Sequence, residues 1–431
     1  MQQNIQTELN FSSTPVGEAR EAEREATESL STMNDPESPA STNRLMEEVC
    51  ERENLKEALR RVKRNKGSAG VDGMTVGGIT DYLKQHWPAI REQLLNGTYE
   101  PRPVRRVEIP KPDGGVRKLG IPTVLDRLIQ QAVMQVLQSK WDRTFSEHSH
   151  GFRPQRSAHQ AVAKAQQYIA AGHRWVVDLD LEKFFDRVNH DRLMAAIARR
   201  VNDKRMLKLM RAFLESGVME NGLVSPVEEG TPQGGPLSPL LSNLVLDELD
   251  RELERRQHRF VRYADDCNIY VASERAGKRV KQSVTRFIQR RLKLKVNEAK
   301  SAVARPQERK FLGFSFTGGA EVKRRIAPKA LFRCKQRVRE LTRRTQGISL
   351  EQMTKELADY LRGWKGYFGY CQTPSVLHGL DQWIRRRLRS VIWKQRKRRS
   401  SWHLANSPAL STTFPNAYFD SLGLPRLFAA A

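Results

Sequence analysis

The segment that most constrains the fold is Phe260–Val271, which reads Phe-Val-Arg-Tyr-Ala-Asp-Asp-Cys-Asn-Ile-Tyr-Val. Apolar residues flank two adjacent acids on both sides, so the pattern predicts two short strands around a turn, with Asp265 and Asp266 at the tip. Mg²⁺ takes oxygen ligands, typically one or two carboxylates together with substrate phosphates and waters. The alternative is that these aspartates only form the turn, because an aspartate side chain readily bonds to its own backbone.

A second acidic strand is predicted at Trp175–Leu181, where Asp178 and Asp180 alternate with leucines. Alternate residues of a strand project from one face, so both carboxylates would lie on the same side. A buried, unpaired carboxylate is costly, so each acid needs a cation or, as the alternative, one of the many arginines of the chain. If this strand lies beside the hairpin, the acids converge as ligands for two metal ions about 3.5–4 Å apart.

The charge of the chain favours a polyanionic partner. Its 431 residues carry a formal net charge of +26, and 39% of them are hydrophobic, enough for a sizeable core. Lysine and arginine bind phosphates with release of counterions, which favours nucleic acid; the alternative is only a basic surface. Residues 1–43 carry two arginines and eight acids, whereas residues 321–400 carry 22 basic and six acidic residues. We therefore expect a polyanion to lie mainly against the C-terminal third.

Several other classes of protein are disfavoured. Four cysteines stand far apart with no Cys-x-x-Cys pair, which argues against a disulfide framework and a cysteine-based zinc site. The longest uncharged stretch, Gly230–Leu246, is interrupted by three prolines, so it does not predict a membrane span. The acidic N-terminus does not resemble a secretory signal. We expect a cytoplasmic protein.

The remaining pattern predicts an α+β fold followed by an all-helical region. Residues 1–43 lack apolar periodicity and predict a disordered acidic leader, and Asn43 is the expected cap of the first helix. Helical spacing recurs near residues 128–137 and 280–292, between the predicted strands. Beyond about residue 325 strand patterns vanish. There Leu377, Leu380, Ile384, Leu388 and Val391 lie on one helical stripe, with arginines expected on the remaining surface. A short packed tail is expected after Ser400.

Tyr263-Ala-Asp-Asp266 resembles the signature of reverse transcriptases, and the surrounding blocks resemble the group II intron-encoded reverse transcriptase/maturase family. The similar blocks occur in the family's order: Gly67–Thr75, Ile109–Pro122, Gly151–Pro154, Asp180–Asp186, Gly230–Pro239, the Tyr263 block, Leu294–Lys300, Phe311–Phe314 and Arg362–Phe368. The likeness covers about residues 44–425. It implies a right-hand polymerase, with fingers and a palm built on a small antiparallel sheet, followed by an all-α thumb/maturase region.

The resemblance implies a two-metal site. It assigns metal binding to Asp180, Leu181 and Asp265, with Asp266 as a supporting catalytic acid and Asp178 as a neighbour. Two Mg²⁺ ions are expected, with Mn²⁺ as a possible substitute.

The resemblance also implies a nucleotide pocket. Lys111 and Arg117 would contact the incoming triphosphate, or else belong to a solvated basic loop. Phe185 takes the place of the residue that excludes a ribose 2′-hydroxyl, or else is a plain core phenylalanine. Gln233 would border the nucleotide and template in a loop whose glycines allow close approach of nucleic acid, and Lys300 is a further candidate.

Nucleic-acid contacts are expected at two further places. Phe311, Leu312 and Gly313 are candidates for gripping the primer end. Arg385, Arg386 and Arg396 are interleaved with tryptophans, a combination suited to RNA backbone contact and base stacking. The alternative is that the tryptophans belong to the core and only the charges face RNA.

These inferences predict fingers and palm over 44–320, a helical thumb/maturase region over 321–400, and a DNA-binding-like tail over 401–431 with no endonuclease domain, as in endonuclease-lacking bacterial members. The expected activity is extension of a primer 3′-hydroxyl with dNTPs on an RNA template. Group II intron RNA and a DNA target are expected partners, and membranes are not. Two alternatives stay open: a non-catalytic RNA-binding splicing factor, and a domesticated reverse transcriptase acting in DNA repair or phage defence.

Overall fold

The computed structural model describes residues 43–110, 115–220, 223–225, 230, 234–343, 345, 347–395 and 408–428. Its helices are α1 Leu45–Val49, α2 Arg52–Asn65, α3 Ile79–Asn96, α4 Val124–Trp141, α5 Ala158–Ala170, α6 His190–Ala198, α7 Lys204–Glu215, α8 Ser238–Arg255, α9 Glu274–Phe287, α10 Pro328–Leu341, α11 Leu350–Phe368, α12 Pro374–Gln395, α13 Pro408–Thr413 and α14 Asn416–Ser421. Its strands are β1 Val104–Pro110, β2 Val116–Ile121, β3 Trp175–Leu179, β4 Val218–Glu220, β5 Leu223–Ser225, β6 Arg259–Tyr263, β7 Asp266–Val271, β8 Ala302–Ala304, β9 Phe314–Phe316 and β10 Arg324–Ile326.

The central sheet has the strand order β6-β7-β3-β8, and all of its pairings are antiparallel. Strand β7 pairs with β3 through Leu179 opposite Cys267 and Asp178 opposite Asn268. The two strands predicted to carry acids are therefore direct neighbours. The described residues form two further sheets, a four-stranded one with the order β2-β1-β4-β5 and a two-stranded one, β10-β9.

Four groups of buried apolar residues hold the described elements together, and the smallest contains Val62, Ile79 and Val124. The first packs helices α1–α4 and α6–α9 against one face of the central sheet, through residues such as Val177 and Ile269. The second lies among helices α10–α14. The third joins the opposite face of the central sheet, at Val176 and Tyr270, to α5 and β9, and Tyr367 of α11 packs against it. The palm-like sheet and the helical region therefore share an apolar contact.

Most element predictions are confirmed. Helices cover residues 124–141 and 274–287, and two strands flank a two-residue turn at Ala264 and Asp265. The stripe predicted on α12 is buried throughout, with no member more than 5% exposed. The mixed fold followed by a helical region agrees with the predicted fold class.

Three details differ from the predictions. Helix α1 begins at Leu45 with Arg44 at its N-cap, and no side chain caps it, so Asn43 is not the cap. The acidic strand ends at Leu179, because Asp180 bonds to another loop instead of continuing the ladder. Strand β10 falls inside the region predicted to be only helical, where it pairs with β9.

The C-terminal residues 408–428 are part of the helical core. Leu410, Phe414, Phe419, Leu424 and Leu427 are all buried against α10–α12, as expected for a packed tail. All four cysteine thiols of the chain are free. Within the described residues, no helix has the length and apolar character needed to cross a membrane. The predicted leader lies outside the described residues, except for Asn43.

Candidate active site

The central sheet gathers four acids at one end of one face. Asp178 lies on β3 and Asp180 directly follows its last residue, Leu179, so the two side chains, two residues apart, leave the same face. Continuing the observed register by one residue places Asp180 opposite Asp266, the first residue of β7. Opposite residues of an antiparallel pair share a face, so Asp266 joins the first two acids. Asp265 lies next to them in the turn between β6 and β7.

Asp180 is held by its backbone, which leaves its carboxylate available. Its N–H donates to the Ser301 hydroxyl over 2.9 Å, and its carbonyl accepts from the N–H of Asn297 over 2.8 Å. The side chain is one-third exposed, and the Lys300 ammonium lies 3.9 Å from one carboxylate oxygen. The loop at residues 297–301 therefore positions both Asp180 and the cation beside it.

Asp178 has a different role from Asp180, because its charge is already paired. The Arg309 guanidinium donates twice to one Asp178 oxygen, over 2.9 and 2.5 Å. Arg309 also donates to the carbonyl of Lys300. Burial raises the pKa of Asp178 even though Arg309 acts in the opposite direction. The alternative predicted for an acid in this strand, pairing with an arginine, describes Asp178.

Asp265 and Asp266 are the two acids of the cluster whose negative charge is not compensated by an ion pair within the described residues. Burial raises the pKa of Asp265, and the nearby charge of Asp180 raises it further. For Asp266, loss of hydration and repulsion from Asp265, Asp178 and Asp180 raise the pKa to about 6, although part of its side chain is exposed. Among the described residues, neither acid forms an ion pair. The cluster therefore favours binding of a positive charge.

These residues fit a hard divalent cation. Ionising Asp265 and Asp266 together is unfavourable without a counter-charge, and oxygen ligands suit Mg²⁺. Within the described part of the chain, no three acidic, histidine or cysteine side chains form a ready metal cage. A cation here would complete its shell with backbone oxygens, water or substrate phosphates, which is usual for Mg²⁺.

Arg117, in a separate sheet, acts electrostatically on Asp265. It pairs in register with Ile109 in the β1–β2 hairpin, and its charge lowers the pKa of Asp265. Arg117 is exposed, so it is available to an anion near the acids. Lys111 lies outside the described residues.

Phe185 is half-buried in the turn that follows Asp180. Its ring packs edge-on against Phe184, 5.2 Å away between centroids, and Phe184 is the one that enters the core. Phe185 packs only partly against the core, so part of its ring stays exposed, five residues after Asp180 in the chain. Leu181 is buried in the core and forms a bridge with Val296, so only its backbone could face a cation.

The glycines near Gln233 are packed against protein backbone. A Cβ on Gly230 (φ +96°) would lie 2.8 Å from the Phe185 carbonyl oxygen, and one on Gly234 would lie 2.7 Å from that of Gly120. A side chain at either position would therefore meet protein backbone, which explains the need for glycine there. Approach of nucleic acid to these glycines stays a prediction. Gln233 itself lies outside the described residues.

Comparison with known proteins assigns the two parts of the chain. Residues 109–316 match the family "Reverse transcriptase (RNA-dependent DNA polymerase)", and residues 331–407 match "Group II intron, maturase-specific domain". The first match contains all four clustered acids. The chain belongs to the group II intron reverse transcriptase/maturase family.

Named relatives support this family. The chain is 40% identical over 219 residues to Protein YkfC of Escherichia coli (strain K12), covering 49% of this chain and 58% of the relative. It is 32% identical over 316 residues to the group II intron-encoded protein LtrA of Lactococcus lactis subsp. cremoris, and this match covers 58% of this chain and 52% of LtrA. The chain thus spans little more than half the length of these relatives. A chain of the partial Cas6-RT-Cas1--Cas2 complex has 24% identity and a TM-score of 0.37, covering 57% of this chain and 42% of that chain.

The predicted primer contact needs correction at Phe311, whereas Leu312 and Gly313 are half-buried and stay predicted contacts. Phe311 is 4% exposed and belongs to the core, so its side chain cannot grip a primer. The Tyr367 hydroxyl donates to the Leu312 carbonyl over 2.7 Å, and the Phe368 ring lies 3.0 Å from where a Gly313 Cβ would be. This turn connects the sheet to helix α11.

Arg385 is also not a surface RNA contact in this fold. It is 1% exposed and forms ion pairs with Asp381 at 2.5 Å and Asp420 at 2.6 Å. The neighbouring Arg389, expected on the same basic surface, is buried as well and donates to the Phe414 carbonyl. Arg386 is half-buried, and Arg396 lies outside the described residues.

The tryptophans of α12 belong partly to the core. Trp383 and Trp393 are half-buried against the helical core. Lys335, Arg339 and Arg387 lie 5.5–5.8 Å from the Trp383 ring centre. This arrangement favours the alternative in which the rings pack and the charges face outward. Trp402 lies outside the described residues.

Sequence reasoning did not single out Arg262, Arg309 and Ser301, which hold the acids in place. Arg309 and Ser301 lie in loops, and nothing local marks them as partners of β3. Arg262 did carry a signal, because a charged residue inside the apolar segment Phe260–Tyr263 needs a buried partner. That partner, Asp250, lies on helix α8 and becomes visible only in the fold.

The raised pKa of Asp266 predicts a pH-dependent stability. Its folded-state pKa of about 6 exceeds the ordinary 3.8, so its contribution is present below about pH 4 and lost as pH rises through 6. In buffer with EDTA, the unfolding free energy of the wild type should fall between pH 4.5 and 7 relative to that of Asp266→Asn. Urea denaturation at several pH values measures this difference. Parallel pH dependences for the two proteins would show that Asp266 titrates normally.

Proposed function

We propose that the chain is an RNA-directed DNA polymerase that extends a primer 3′-hydroxyl with dNTPs on an RNA template. The observation that carries this proposal is the convergence of Asp180, Asp265 and Asp266 on neighbouring strands within the reverse transcriptase match. Divalent cations would relieve the mutual repulsion of these acids, and the bound cations would in turn attract the negatively charged triphosphate. The exposed cation Arg117 near the same acids supports an anionic substrate.

Asp180, Asp265 and the Leu181 carbonyl are the proposed metal ligands, with Asp266 in support. Enzymes of this family generally use divalent metal ions, and we propose two Mg²⁺ here, with Mn²⁺ as a substitute. When bound, they would lower the pKa of the primer hydroxyl and stabilise charge on the phosphates. The firm backbone anchoring of Asp180 keeps its carboxylate aimed at the site.

The cations of the chain bind and orient the nucleotide in this proposal. Arg117 and Lys300 lie close to the acids, where they would contact triphosphate oxygens whose charge increases during transfer. Phe185 would lie against the sugar and exclude a 2′-hydroxyl. Lys111 and Gln233 remain predicted nucleotide contacts.

We also propose that the protein is a maturase that binds a group II intron RNA and promotes its splicing and movement into a DNA target. The maturase-specific match over residues 331–407 supports this activity. The helical region carries a large excess of basic residues, which suits an RNA partner. A cytoplasmic bacterial location would be consistent with it. An intron-free role in DNA repair or defence would use the same polymerase chemistry.

Replacing Asp265 and Asp266 together by alanine should abolish polymerisation. The variant loses a proposed metal ligand and its neighbouring acid, so extension of a DNA primer on an RNA template should fall at least about a thousandfold. RNA affinity, measured by filter binding, should change less than threefold. Splicing of the host intron, if one exists, should persist.

The matched control is Asp81→Ala with Asp191→Ala, which removes two carboxylates with 77% and 82% exposed side chains. This control should extend the primer at the wild-type rate. Retained extension by the Asp265/Asp266 variant would remove these acids from the reaction.

Phe185→Ala should weaken sugar selection. A smaller side chain leaves room for a 2′-hydroxyl, so the ratio of ribonucleotide to deoxynucleotide kcat/KM should rise about tenfold or more. Single-nucleotide extension kinetics measure this ratio. Phe332→Ala, at an exposed phenylalanine of helix α10, should leave the ratio unchanged. An unaltered ratio in Phe185→Ala would mean that another residue excludes ribonucleotides.

A further inference from the structure

The turn that carries Asp265 has a strained backbone. Ala264 precedes Asp265 and has a φ of +56°, a conformation that residues with a Cβ rarely adopt. Its carbonyl oxygen accepts a hydrogen bond from Nη1 of Arg262 over 2.9 Å. A side chain two residues earlier in the same hairpin therefore fixes the peptide that leads into Asp265.

Arg262 is itself fixed by a buried ion pair. The side chains of Arg262 and Asp250 are both fully buried, and they meet in a two-bond contact of 2.7 and 2.5 Å. Nη1 of Arg262 also donates to Oδ1 of Asn243 over 3.0 Å. Asp250 and Asn243 both belong to helix α8. The guanidinium therefore ties the turn to a long helix beneath the sheet.

The far side of the turn is closed by Gly151. Its carbonyl accepts from Nδ2 of Asn243 over 2.9 Å, so the same asparagine contacts both Gly151 and Arg262. A Cβ on Gly151 would lie 2.2 Å from the Ala264 nitrogen. The Ala264 peptide is thus enclosed between Gly151 and the Arg262 guanidinium, and it cannot move without disturbing one of them.

This enclosure opposes a specific force. Asp265 precedes Asp266 in the turn that leads into β7, beside the end of β3 that Asp180 follows, and the like charges of Asp265 and Asp180 repel each other when both are ionised. We propose that Arg262 is a positioning residue that holds the Ala264–Asp265 turn against this repulsion, so that Asp265 and Asp180 can share a divalent cation. The proposal deepens the proposed polymerase function and rests on it for the role of the cation.

Lysine cannot replace arginine in this arrangement. Arginine presents a planar set of donors, and here they reach Asp250, Asn243 and Ala264 at the same time. A lysine ammonium keeps the charge but is a compact donor that cannot span all three acceptors. Arg262→Lys therefore separates positioning of the turn from the presence of a buried positive charge.

The test compares cation binding by Arg262→Lys and the wild-type full-length protein. Mn²⁺ binding, measured by electron paramagnetic resonance without nucleic acid, should weaken about tenfold or more in the variant. In primer extension, the Mg²⁺ concentration that gives half-maximal rate should rise by a similar factor, while RNA affinity stays within threefold. Wild-type Mn²⁺ affinity and an unchanged Mg²⁺ requirement in Arg262→Lys would overturn the proposal.

The matched control is Arg385→Lys in helix α12. Arg385 is equally buried and has two acidic partners, but it lies in the helical region away from the acids. This variant should lose stability yet bind Mn²⁺ as the wild type does. An equal loss of Mn²⁺ affinity in both variants would show general destabilisation and contradict a positioning role.

A second variant tests the same network without touching the ion pair. Asn243→Ala removes an acceptor of Arg262 and the donor to Gly151, so it should shift Mn²⁺ affinity in the same direction by a smaller factor. Asn243→Ala replaces Arg262→Lys as the test if the lysine variant does not fold. In that case, wild-type Mn²⁺ affinity in Asn243→Ala would contradict the proposal. Mn²⁺ binding is measured without substrate, so it tests the positioning role separately from polymerisation. If the wild-type protein binds Mn²⁺ but does not extend primers, only the proposed polymerase function is refuted.

Discussion

Electrostatic repulsion among four carboxylates at one end of the central sheet is the constraint around which the rest of this structure is organised. Asp178, Asp180, Asp265 and Asp266 lie on adjacent strands or in their connecting turn, and the pKa values of three of them are raised. Such repulsion can be reduced by pairing an acid with a basic side chain or by binding a cation between the acids. This chain does both, because Arg309 pairs Asp178 while Asp265 and Asp266 have no ionic partner among the described residues.

The surrounding elements hold Asp180 and Asp265 in place. Asp180 leaves its strand early and is tied by backbone bonds to the loop at residues 297–301. The turn before Asp265 is enclosed by Gly151 and the buried Arg262. The same sheet packs with β9 and Tyr367, so one apolar cluster joins the sheet that carries the acids to the helical region. The residues that position these acids are therefore different from the acids that carry the charge.

The sequence predicted the hairpin and the acidic strand, because alternation and turn patterns are local properties. Their adjacency was only a condition at that stage, and it is the fold that pairs β3 with β7. Sequence reasoning failed where burial depends on distant partners. Arg385 looked like a surface charge, yet its second partner, Asp420, is 35 positions away in the C-terminal segment. Phe311 looked like a contact for nucleic acid but fills a core to which α5 and β9 contribute. The roles assigned to individual site residues remain predictions.

The central claim is that Asp180 and Asp265 hold the same divalent cation. Anomalous diffraction from crystals of the protein with an RNA–DNA duplex, a non-hydrolysable dNTP and Mn²⁺ tests it most directly. The account predicts an anomalous peak within bonding distance, about 2.0–2.3 Å, of one oxygen from each carboxylate. A well-ordered site with nucleotide bound, but with the two carboxylates apart and no shared Mn²⁺ peak, would contradict it.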